Sequence, residues 1–130
     1  MTEPNRDNVV QLRQYGNAGW QETRGKIYKA LMAGKIFRSG AMSSEKDRAP
    51  FRGELPLAWW DILKADQPDY IVYSYQTPIA WHVPDDNDDG GERWVVPDVK
   101  YKMTTTRHQN LVRTALIFNK TEPIEKLEEA

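Results

Sequence analysis

The chain has 130 residues, 28% of them charged and 39% apolar, a balance that suits one folded domain and excludes both wholesale disorder and two independent cores. It contains no cysteine, which excludes a disulfide framework, a thiolate zinc site and a thiol nucleophile. The formal charge of −1 hides a segregation: eight basic residues against two acids from Arg24 to Arg52, six acids against Arg93 alone from Asp85 to Asp98, and five basic residues with no acid from Lys100 to Lys120. Such blocks either steer a charged partner or form solvated faces.

Residues 1–16 read as a flexible N-terminal arm around the apolar pair Val9-Val10. Their polar, acidic start differs from a secretory leader, and no run reaches the roughly 20 apolar residues of a membrane span, so a cytoplasmic, non-membrane protein is expected. From Ala18 to Ala33, Trp20, Ile27 and Leu31 share a helical face, and Gly34 ends the helix. Residues 35–56, rich in Gly, Pro and charge, predict a loop with at most one short strand near Ser39 to Ser44. Pro56 opens a second helix that runs through Trp59-Trp60 and stops before Pro68.

The β signal follows. Tyr70 to Tyr75 is apolar or aromatic on both faces, as in a strand with neighbours on each side. Ile79, Trp81 and Val83 alternate with Ala80 and His82, Trp94 and Val96 continue after a loop, and Trp81 and Trp94 can pair across strands. Val99, Tyr101 and Met103 alternate with Lys100, Lys102 and Thr104, which predicts a last strand with one wet face. Thr106 and Gln109 have capping-box spacing and predict the start of a closing helix whose apolar positions are Leu111, Val112, Ala115 and Leu116. Residues 120–130 read as a flexible acidic tail. The expected fold is a single α+β domain over residues 17–119, an antiparallel meander of three to five strands with helices packed on one face.

Chemistry has little foothold in this order of residues. The loop Asp85-Asp86-Asn87-Asp88-Asp89-Gly90 opens like a calcium loop, but its twelfth position is Val96 where a bidentate Glu is needed. His82 and His108 are read as structural. Ser39, Ser43, Ser44 and Ser74 lack the Gly-x-Ser-x-Gly frame of a serine nucleophile, and Asp61, Asp66 and Asp69 flank a helix end where carboxylates are routinely solvated. No phosphate-cradling glycine loop precedes a helix. Neither a catalytic residue nor a metal or other cofactor is expected.

Tyr73-Ser74-Tyr75-Gln76-Thr77-Pro78-Ile79-Ala80-Trp81, Trp94-Val95-Val96-Pro97-Asp98-Val99-Lys100-Tyr101 and Thr104-Thr105-Thr106-Arg107-His108-Gln109 resemble a group of small proteins of actinobacterial phages, plasmids and chromosomes that carries no established function. The resemblance covers residues 70–116 and extends toward Leu31, with the acidic insert 85–91 as its departure. It implies a phage or mobile-element origin and supplies no catalytic residues.

The functional expectation is a non-enzymatic phage accessory protein that binds a host or phage protein in the bacterial cytoplasm, possible effects on host growth included. Trp59 and Trp60 occupy consecutive helical positions and cannot both face one core, so one is a candidate anchor, unless both are buried between sheet and loop. The alternative is nucleic-acid binding through Lys100, Lys102, Arg107 and Arg113, which the net negative charge opposes.

Overall fold

The structure is a computed structural model that describes residues 10–12, 17–84 and 93–126. One sheet holds six strands in chain order: β1 (Val10–Leu12), β2 (Phe37–Ser39), β3 (Met42–Glu45), β4 (Tyr70–Ser74), β5 (Thr77–Val83) and β6 (Arg93–Val95). Helix α1 (Asn17–Ala33) carries the chain from β1 to a parallel β2, and every later neighbour is antiparallel. Helix α2 (Leu57–Asp66) lies between β3 and β4, and α3 (Met103–Phe118) follows β6. The expected α+β class is present, with β2 to β6 as a five-stranded antiparallel meander, and part of the N-terminal arm supplies a parallel edge strand. The 35–56 stretch yields two short strands where one was expected, paired as a hairpin across Gly40-Ala41. The acidic insert 85–91 lies outside the described residues.

The aromatic and β-branched run Tyr70 to Ser74 makes β4 the centre of the sheet, buried along its whole length. Its register with β5 shifts after Val72, so that Ala80 faces Val72 and Pro78 faces Tyr73, leaving Ile79 as the extra residue. A bulge is one of the few places where a proline, lacking an N–H, fits inside a sheet.

Because successive side chains leave opposite faces of a strand, a strand buried on both sides needs cover on both sides. On one face Ile27, Ala30 and Leu31 of α1 and Leu111, Val112, Ala115 and Leu116 of α3 pack on Phe37, Met42, Tyr70, Val72, Ala80 and Trp94. On the other, Leu55 with Trp59 and Leu63 of α2 packs on Ile71, Tyr73, Trp81, Val83 and Val95. Helices α1 and α3 therefore share a face, as expected, whereas α2 departs from that arrangement. Trp81 and Trp94 belong to different cores; the cross-strand partner of Trp94 is His82, its ring 5.3 Å away.

The strand expected over Val99 to Thr104 is absent: residues 96–102 carry no strand, and Met103 already begins α3. Neither is there a capping box, because Lys102 is the N-cap and Thr106 sits one turn inside. The Thr106 hydroxyl donates to Tyr101 O at 3.3 Å, and the buried Gln109 amide donates to Pro97 O at 3.0 Å. The extended backbone after β6 takes another partner. Ile124 bridges in parallel to Val95; Ile124 N donates to Trp94 O, Val96 N to Ile124 O and Asp98 N to Glu125 O, each at 2.8 Å. Within the segment read as a tail, residues 124 and 125 are thus bonded to the sheet edge, and Glu125 also receives Arg113 at 2.6 Å.

Candidate functional site

Two turns and a loop meet at the Ser74 end of β4: the β2–β3 turn at Gly40-Ala41, the β4–β5 turn at Tyr75-Gln76, and Gly53-Glu54 from the long loop before α2. With the first turn of α3 they enclose a cleft of about 800 Å³.

The turns are locked together by backbone. Tyr75 N donates to Ala41 O at 2.6 Å, and Tyr75 is held at φ 57°, a left-handed conformation that costs a residue with a side chain about 1–2 kcal/mol. Its ring stands 62% exposed at the lip. Gly53, at φ 54°, lies so close that a Cβ there would sit 2.3 Å from Gln76 O and 2.5 Å from Thr77 Oγ1. The next residue, Glu54, donates its N–H to Thr77 Oγ1 at 2.9 Å. A strained backbone around an exposed aromatic is a feature that recurs at binding sites, where the surroundings over-determine the strained geometry.

The walls are polar. Lys102, Thr104 and Thr105 come from the start of α3, which has no side-chain cap, and Ser43 and Arg38 come from the hairpin. Arg38 is neutralised, since its guanidinium is ion-paired with Glu45 and donates to Ser44 O at 2.8 Å. Beside Glu54 the Tyr101 hydroxyl is buried without a hydrogen-bond partner among the described residues; burial, with Glu54 adding to it, pushes its pKa up to about 12.

Behind the wall, Ser74 Oγ lies 2.7 Å from His108 Nδ1 and 3.1 Å from Thr105 Oγ1. Burial holds the His108 pKa below its ordinary 6.5, which favours the neutral imidazole. Ser74 has no exposed surface, so this chain of hydroxyl and imidazole ties β4 to α3 from within. Sequence reasoning missed it, because two polar residues 34 positions apart on different elements leave no periodic trace.

The other sequence-derived candidates are dispersed. Trp59 is buried, edge-to-face with Trp81 at 6.2 Å, while Trp60 is half-buried beneath Lys64 Nζ, 5.5 Å from its ring centroid. Lys100 is exposed before α3, Lys102 faces the cleft, Arg107 lines a groove between α1 and α3, and Arg113 is committed to Glu125. These four cations do not form one strip. His82 sits at the far end of β4 from His108, 2.7 Å from Asp69. Asp66 holds the Trp81 indole at 3.0 Å and Arg93 at 3.1 Å, and Asp61 lies 3.7 Å from Lys64, so the three aspartates do not converge. Among the described residues there is no group of three potential metal ligands, and no helix is long and apolar enough to cross a membrane.

Residues 10–128 match a family of unknown function, DUF8033, and the chain belongs to that family. No curated protein and no solved structure matches it.

Proposed function

From membership of a family whose function is open, we propose that this protein is a non-enzymatic accessory protein of an actinobacterial phage or plasmid. Its role is to bind a host or phage protein in the bacterial cytoplasm, and the Tyr75 cleft is where it does so. The mobile-element origin rests on the resemblance carried by residues 70–116. The binding reading rests on one observation: an exposed aromatic residue whose backbone is held at a strained φ on the lip of a cleft of about 800 Å³. A backbone held in place by its turn presents the side chain from a fixed point, and an aromatic side chain has few torsions to lose on binding, which is what makes such residues effective anchors. Tyr75 thereby replaces Trp59, which the core consumes, as the leading anchor; Trp60 stays at the margin of the second core.

The test uses tagged wild-type protein and Tyr75→Gly in an actinobacterial lysate, with and without nuclease, at low and moderate salt. Wild type is expected to retain one protein at stoichiometric amounts regardless of nuclease. Tyr75→Gly is expected to lose it while gaining up to about 1 kcal/mol of stability in chemical denaturation, because glycine relieves the left-handed strain at an entropic cost smaller than the relief. Retention that vanishes with nuclease or salt would transfer the function to nucleic acid, and undiminished retention by Tyr75→Gly would remove the cleft from the interface.

A further inference from the structure

We propose that the groove between α1 and α3 is a second docking surface whose occupant is an acidic amphipathic segment of a protein partner, with carboxylates flanking an apolar side chain. This surface is separate from the Tyr75 cleft and does not depend on that reading. The groove, about 340 Å³, is lined by Arg24 and Tyr28 of α1 and by Arg107, Leu111, Thr114 and Phe118 of α3. Both sets recur at intervals of three or four residues, so each forms one stripe on its helix and the two stripes form the walls.

Chemistry selects the occupant. Phe118 is 74% exposed, with its ring 5.9 Å from that of Tyr28, and Leu111 lies behind, so part of the groove is apolar. Its charge is of one sign. Neither Arg24 nor Arg107 has a carboxylate within ion-pairing distance among the described residues, and the hydrogen bond that Arg107 makes goes to Met103 Sδ at 3.4 Å. Helix α3 has no acidic residue over its 16 positions, and α1 has none from Thr23 to Ala33. Two guanidiniums beside aromatic walls suit two-pronged carboxylate pairs around a buried apolar anchor, the pattern by which an amphipathic helix enters a groove. Nucleic acid fits less well. A phosphate track needs a continued run of cations, and the next one along α3, Arg113, is engaged by Glu125.

A displayed library of randomised short peptides, panned on the full chain with the double variant R24E/R107E as counter-selection, tests this directly. Enriched peptides should carry several carboxylates around Leu, Phe or Trp and bind wild type at least about tenfold more tightly than the double variant in fluorescence anisotropy. The double variant, panned in turn, should enrich lysine and arginine around the same apolar residues, a reversal that misfolding cannot produce. Phe118→Ala should weaken both sets. Absence of enrichment, enrichment without acidic bias, or equal affinity for both proteins would overturn the proposal. Displacement of the peptides by a single-stranded oligonucleotide of similar affinity would assign the groove to nucleic acid instead.

Discussion

At Gly53 a single hydrogen atom decides whether the cleft exists. The loop approaches the β4–β5 turn so closely that any side chain would collide with the backbone carbonyl of Gln76, which cannot swing away, and the positive φ adds strain of its own. Gly53→Ala is therefore expected to cost about 2–4 kcal/mol, above the range of most surface substitutions, read as a drop in the denaturation midpoint at unchanged slope. A loss near zero would mean that the loop leaves the turn without penalty and does not wall the cleft. Nothing in the sequence set Gly53 apart from Gly40, the other glycine of the 35–56 stretch. Its role is a distance to a turn 23 residues later, which composition cannot express.

Helix α2 shows the reverse, an element whose meaning was partly legible. Consecutive tryptophans cannot face one core, and the structure separates them: Trp59 fills the second core against Trp81, and Trp60 lies along its edge. Trp59→Ala is expected to cost about 3–5 kcal/mol and Trp60→Ala about 1 kcal/mol, measured by urea titration; equal losses would show that both rings are core. Strands β4 and β5 were legible for the same reason, as their β-branched and aromatic residues suit a surface buried on both sides. Residues 99–104 misled because alternation reports burial and not pairing. Val99 and Tyr101 do turn partly inward, yet the ladder to residues 124 and 125 ends at Asp98: Val99 N turns back to Pro97 O, Lys102 O accepts from Thr106 N in the first turn of α3, and the Gln109 side chain bonds Pro97 instead of forming a cap. The cleft was invisible at this scale, since it is assembled from the ends of elements and not from any one of them.

For the molecule as a whole, the tie between the central strand and the closing helix makes stability depend on pH. His108 sits between β4 and α3 with its pKa lowered by burial, so between that value and 6.5 the unfolded chain binds a proton that the native protein does not. Its contribution is present in full above pH 6.5 and is lost as the pH falls from there through the native value. Stability measured by denaturant titration should accordingly decline below about pH 6.5, and His108→Gln, less stable at neutral pH by about 1–3 kcal/mol, should flatten that decline. An equally steep decline in the variant would place the titrating group elsewhere.

The sheet's spatial order is its chain order, β1 to β6 without exception. During synthesis each strand that leaves the ribosome therefore meets its neighbour at the growing edge, and none has to be threaded between two strands already paired. The two-faced burial follows the same sequence of events: α1 is present before the hairpin it covers, and α2 before the strands it covers. Two steps reach back: α3 closes over α1 and the strands already paired, and residues 124 and 125 then return past it to the open side of β6. Until then the open side of β6 is unpaired, a second free border of the nascent sheet besides the outer edge of β1.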